Sequence, residues 1–195
     1  MASPIGHTLA GYLGYQLMPT LPIKPQSNKG LMWGAIAIAN LPDLDFLPGL
    51  LVGDAFAFHR QGSHTLIAAI AVGSLVALGM GLSGKGLAGR WRKQTSGFSK
   101  FQWLWWGIWA MAVYLGHLCL DLLMADPTPP FGLQLLWPFS EAFFASPIAI
   151  IPGWQFDSML SWHNLTVVGS EILWLMPIIW PVGAIVPKPR KSQQR

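Results

Sequence analysis

Charged residues make up only 10% of this 195-residue chain, and its acids and histidines gather in a few short clusters within or beside apolar segments of membrane length. A soluble domain carries about 25% charge. This chain lacks the polarity to cover a globule in water, so a helical bundle in a membrane is the architecture to expect. Ionisable groups held near hydrocarbon are expensive to keep and therefore mark function. The clusters are Gly6-His7, Leu41-Pro42-Asp43-Leu44-Asp45, His59-Arg60-Gln61-Gly62-Ser63-His64, and Gly116-His117 through Asp121 to Asp126, with Asp54 between the second and third. Imidazoles and carboxylates in this combination are what a divalent metal site needs.

The apolar pattern predicts an all-α, polytopic membrane bundle of about four spans plus a short N-terminal helix. Ile5–Met18 is too short for a full span, and a Pro-rich linker, Pro19–Lys29, follows it. The spans are Leu31–Val52, interrupted by Pro42 and Pro48, then Leu66–Leu82, Phe101–Met124 and Leu165–Val186. Ser83–Lys100 is a basic loop, and Asp126–Asn164 is a long Pro-rich and aromatic stretch with a short interfacial helix expected around Glu141–Phe144. The whole reads as a single domain, 1–195, with a basic tail at 187–195. The start, Met1-Ala2-Ser3-Pro4, has no basic n-region, so no cleaved signal is expected. One cysteine, Cys119, excludes an internal disulfide and suits packing. The eleven tryptophans suit membrane–water interfaces.

The net charge of +4 does not point to nucleic acid, because the lysines and arginines lie almost wholly in three connecting segments. Lys24 and Lys29, the group from Lys85 to Lys100, and the tail from Lys188 to Arg195 should all face the cytoplasm. Following the chain from there, His7, Asp43, Asp45, the His59–His64 segment, His117 and Asp121 all fall on the outer side, with the C-terminus cytoplasmic. Scattered structural histidines would not converge in this way.

Each cluster has a plainer reading. His117 and Asp121, at i and i+4, share one helix face and suit one ion, or a buried hydrogen-bonded pair. Asp43 and Asp45 share a side if Pro42 and Pro48 leave the backbone extended, and two such carboxylates call for a cation; otherwise they form a polar turn. His59 and His64 are five apart, so a turn at Gly62 is needed to bring both inward, and Arg60 could hold a phosphate or carboxylate. Solvent-wetted histidines are the plainer alternative there. His7 alone would pass for a packing residue. His163, in a Trp-flanked turn, is left out of the site.

Taken in order, Gly6-His7, Leu41-Pro42-Asp43-Leu44-Asp45, His59-Arg60-x-x-Ser63-His64-Thr65, Gly116-His117-x-x-x-Asp121 and Leu135-Leu136-Trp137-Pro138 resemble one family. It is the bacterial inner-membrane-associated, metal-dependent hydrolase-like proteins of the YdjM-like (LexA-binding) group. The ordered His, Asp, His and His-x-x-x-Asp is also remotely similar to zinc-dependent phospholipase C and related nucleases. The family's Gly after His-Arg is displaced here to Gly62, its Thr-His-Ser triplet is Ser63-His64-Thr65, and the segment after Asp121 is longer. A later His and Glu pair of the phospholipases is not apparent, which implies one or two ions rather than three.

The resemblance implies a membrane-bound hydrolase with a divalent cofactor, zinc or manganese, acting on a phosphoester or another ester at the membrane surface. His7, Asp45, His59, His117 and Asp121 are the expected metal ligands. Asp43 is a second ligand or an outer base, and Arg60 and His64 hold substrate. The expected partners are the lipid bilayer and a small-molecule or lipid substrate, and the expected location is the inner membrane. The rival reading is a non-enzymatic membrane protein for metal binding, transport or partner docking. Alanine at Asp45 or His117 is expected to abolish metal retention.

Overall fold

Ser3 and Pro4 start the first helix by local chemistry. The Ser3 side chain accepts the Gly6 N–H at 3.2 Å, and Pro4 occupies the first turn, where its missing N–H costs nothing. The computed structural model describes residues 1–18, 29–54, 57–82, 101–125, 131–156 and 158–185. The basic segments used above for orientation lie outside these residues, apart from Lys29, and so does Asp126.

The helices are α1 (Pro4–Leu17), α2 (Lys29–Asn40), α3 (Phe46–Leu51), α4 (Leu66–Leu82), α5 (Gln102–Leu122) and α6 (Trp162–Ile185). A 3₁₀ turn, Pro42–Asp45, joins α2 to α3. Two short parallel strands, β1 (Met124–Ala125) and β2 (Ile151–Pro152), lie between α5 and α6. The expected helix around Glu141–Phe144 is not formed. Phe144 instead bridges antiparallel to Leu133, where Gly132 takes a positive φ of 89°. A side chain at that glycine would meet the Phe144 carbonyl, so the local pairing wins over helix.

Both α5 and α6 are long and apolar enough to cross a membrane, and α2 with the 3₁₀ turn and α3 makes a third such segment, bent by 52°. The break falls at Pro42, which has no N–H to continue the α2 ladder. Pro48 sits in the first turn of α3 and is tolerated there. The 17 residues of α4 are apolar, yet at 1.5 Å each they cover roughly 25 Å against a hydrocarbon core of about 30 Å. By length and composition, then, two or three helices among the described residues qualify where four spans are expected.

Packing centres on α1 and α5. α4 lies across α5 at Gly73 and Gly107, so close that a side chain on Gly107 would come within 2.6 Å of the Gly73 carbonyl. Small residues give this kind of approach its van der Waals contact in lipid. Met18, Ala35, Ala39, Trp106, Trp109, Ala110 and Val113 form one buried cluster where α1, α2 and α5 meet. The outer face of α6 stays apolar and exposed, as for a helix meant for lipid (Leu173 71%, Trp180 75%).

Candidate metal centre

Four elements deliver their ionisable groups to one end of the bundle. α1 brings His7 from its first turns, and the 3₁₀ turn brings Asp43 and Asp45. The loop before α4 brings His59 and His64, and the last turns of α5 bring His117 and Asp121. His7, His64, His117 and Asp121 are almost wholly buried.

His7, Asp43, His117 and Asp121 each point one donor atom into a common space, all within 4.8 Å of one another. His7 Nε2 lies 3.6 Å from Asp43 Oδ2 and 3.4 Å from Asp121 Oδ1. His117 Nε2 lies 3.6 Å from Asp43 Oδ1 and 3.4 Å from Asp121 Oδ2. These separations are long for hydrogen bonds. Each carboxylate turns one oxygen to each histidine, and the gaps leave room for an ion, whose donors at about 2.0–2.1 Å would stand roughly 3.3–3.4 Å apart. His7 Nε2, Asp43 Oδ1 and Asp121 Oδ2 are buried and make no hydrogen bond. Such atoms cost about 1–3 kcal/mol each unless something satisfies them. The donor set therefore fits a divalent cation.

The tautomers agree. His117 Nδ1 is 2.7 Å from the Ala39 carbonyl, which can only accept, so Nδ1 carries the proton and Nε2 the lone pair. That carbonyl is available because Pro42 ends the α2 ladder just before Asp43, whose N–H a continuous helix would have used. His64 Nδ1 lies 3.1 Å from Asp45 Oδ2 and 3.0 Å from Ser63 Oγ. Its Nε2 stands 3.2 Å from His117 Nε2. Burial pulls the His64 imidazole towards neutrality, but hydrogen bonds to Asp43 and Asp45 outweigh it and raise its pKa to about 9. A proton on His64 answers one pair of facing nitrogens; a divalent cation answers the orphaned carboxylate oxygens as well.

Asp45, expected among the ligands, belongs to neither group of donors that converges on one point. It accepts from His59 Nδ1 at 2.8 Å, Ser63 Oγ at 2.8 Å and the Arg60 N–H at 3.3 Å, besides His64. Asp43, expected as second ligand or outer base, belongs to both groups. The reason is the local backbone. A 3₁₀ turn rotates about 120° per residue, so Asp43 and Asp45 point apart instead of sharing a side as extended chain would have them. The turn expected at Gly62 is present, closed by the His64 N–H on the Gln61 carbonyl at 2.9 Å. Arg60 adds a bend of its own, at a φ of 65°. Its N–H reaches Asp45 and its carbonyl accepts the Gln134 N–H at 3.3 Å.

Ser63, His64 and Asp45 could be mistaken for a nucleophilic triad. They are not arranged as one, because Ser63 and Asp45 both address the same nitrogen of His64. A triad needs the base's two nitrogens on different partners. His163 bonds the Gly153 carbonyl at 2.9 Å, apart from the cluster. Cys119 is exposed and lines an open apolar groove of about 400 Å³ with Leu122, Leu135 and Phe144, on the face of α5 turned away from His117 and Asp121.

The N-terminal residues and Glu171 are the part that spacing did not reveal. The Ala2 N–H donates to Asp121 Oδ1 at 2.7 Å. Glu171, fully buried on α6, accepts the Ser3 N–H at 2.6 Å and the Ser3 hydroxyl. Its carboxyl lies where a Gly6 side chain would be, next to His7. A lone acid in an apolar span was the available signal.

A family model described as YdjM inner membrane protein matches residues 1–189. No curated protein and no solved structure gives a significant match.

Proposed function

The chain belongs to the YdjM inner membrane protein family, and from that premise and the buried His/Asp cluster we propose that it is a membrane-bound, metal-dependent hydrolase acting on a phosphoester or another ester at the membrane surface. The observation that carries the metal is the set of orphaned donors of His7, Asp43 and Asp121 gathered with His117 within 4.8 Å of one another. These four residues hold the ion. A bound zinc or manganese ion supplies the Lewis acidity that activates water and polarises an ester oxygen.

The chain's own groups supply the rest. Asp45 fixes the Nδ1–H tautomers of His59 and His64, and the Ala39 carbonyl does the same for His117. His64 Nε2 lies 3.5 Å from Asp43 Oδ1, at the edge of the cage. Arg60, beside the cluster, is the group to hold an anionic substrate oxygen.

The bundle is read as four spans with α1 as the short N-terminal helix, and the cluster as opening on the outer face. Support comes from the basic segments expected in the cytoplasm and from Lys29, which starts α2 at the end opposite Asp43, roughly 18 Å away. A transport route would need polar groups at both ends of the bundle. Glu171, a lone acid within the last apolar span, bonds Ser3 at the same end as the cluster, which favours a one-sided site.

Elemental mass spectrometry on the detergent-purified protein tests the reading, beside Asp43→Ala and His117→Ala variants checked for helix content by circular dichroism. Bound divalent metal in the parent, lost from both folded variants, is the expected result and justifies a screen of phosphoesters. A folded protein that takes up no zinc or manganese overturns it. Metal retention without turnover on any ester would leave the non-enzymatic metal-binding reading instead.

A further inference from the structure

We propose that this end of the bundle takes a second divalent cation, between Asp43, His59 and His64, with Asp43 spanning the two ions. The inference rests on the hydrolase reading and deepens it by naming the charge its substrate carries.

Asp43 is the one residue common to both groups of converging donors. Oδ2 lies 3.6 Å from His7 Nε2, and Oδ1 lies between His117 Nε2 at 3.6 Å and His64 Nε2 at 3.5 Å. A carboxylate shared by both groups suits a bridge between two metals.

The two histidines are held for the task from behind. Asp45 takes Nδ1 of His59 on Oδ1 and Nδ1 of His64 on Oδ2, at 2.8 and 3.1 Å. One carboxylate thus leaves both imidazoles with their lone pairs on Nε2. Phe46 stacks on His59 with ring centres 4.6 Å apart and fixes its plane. His59 Nε2 meets the Met1 thioether at 2.8 Å. A thioether is a soft donor to a metal. The position therefore carries two imidazoles and a shared carboxylate, with a sulfur alongside, a donor set that suits zinc.

Charge gives the second ion a purpose. Asp43, Asp45 and Asp121 carry three negative charges, which a single divalent ion does not by itself outweigh. A second divalent ion takes the cluster net positive, and with Arg60 nearby the site then attracts an anion. The substrate class that follows is a phosphoester, not a neutral carboxylic ester.

The test is reconstitution of the metal-stripped, detergent-purified protein with excess Mn(II), read by metal content per chain and by electron paramagnetic resonance. Two ions per chain with an exchange-coupled signal are expected. His59→Ala, folded by circular dichroism, should fall to one ion with an isolated-ion signal. One ion per chain in the parent, with an isolated-ion signal, overturns the second site while leaving the first. No bound Mn(II) or Zn(II) overturns the hydrolase reading, and the second site with it. The parent's own spectrum decides the matter even if His59→Ala does not fold.

Discussion

Replacing Asp45 by Asn separates a ligand from a residue that positions ligands. Asp45 accepts from four donors: His59 Nδ1, His64 Nδ1, Ser63 Oγ and the Arg60 N–H. Asparagine keeps the shape but has one acceptor oxygen and an amide that donates. At least one imidazole then faces a donor, and it relieves the clash by moving its proton to Nε2. That blocks the lone pair aimed at the cluster. The cage of His7, Asp43, His117 and Asp121 keeps all its donors. Loss of an outer partner of this kind lowers metal affinity about 10–100-fold, or about 1.4–2.7 kcal/mol. Asp45→Asn should therefore still bind Zn(II) in the cage, while the affinity of the position built on His59 and His64 falls by that factor in a competition titration against a chromogenic chelator. Asp43→Ala should bind none in the same range. Complete loss in Asp45→Asn would mean that Asp45 is a direct ligand, as its place in the sequence suggests. Unchanged affinity would mean that the clamp on the two histidines does nothing for the metal. Asp45→Ala is the poorer probe, since it strands four donors in a buried place and threatens the fold.

Other consequences can be measured on the same protein. Gly6→Ala would set a Cβ 2.6 Å from the Glu171 carboxyl carbon and push the carboxyl off Ser3. We expect a loss of about 1–3 kcal/mol in denaturant unfolding, and much less in a Glu171→Ala background, where nothing is left to displace. At Arg60, with its φ of 65°, glycine should leave the melting temperature nearly unchanged. Valine there should destabilise by about 1–2 kcal/mol, because a β-branched residue resists that conformation. A purified sample stripped with a chelator should melt roughly 5–10 °C below one holding Zn(II) at a hundred times its dissociation constant. Equal melting curves would speak against an ion held by buried, otherwise orphaned donors.

The residues of the cage are legible in the sequence because a membrane leaves few structural reasons to keep an acid or an imidazole in an apolar segment. His117 and Asp121 are legible as a pair, since helix geometry alone puts i and i+4 together. Their meeting with His7 and Asp43 is what the positive-inside rule leads one to expect from the placement of the lysines and arginines. What spacing does not resolve is which aspartate of Asp43-Leu44-Asp45 turns inward. Extended backbone would have them act together, a 3₁₀ turn makes them act apart, and Pro42 permits either. Nor does any pattern announce the Arg60 turn, because the residue forced into the left-handed region is not the neighbouring glycine.

The least legible part is the support behind the ligands. Ala39 contributes only a carbonyl, and any residue at that position has one. Its value comes from the helix ending at Pro42, which leaves that oxygen for His117 Nδ1. Ala2 likewise offers only a backbone N–H, to Asp121. Such contacts carry no residue signature and appear only when the chain is folded. Yet they set the tautomer and the aim of the ligands, so a chain with the same ionisable residues but an uninterrupted helix through position 42 would leave the Ala39 carbonyl bonded to the Asp43 N–H. His117 would then have no fixed acceptor behind it. The proline is thus as much a part of the metal centre as the aspartate that follows it.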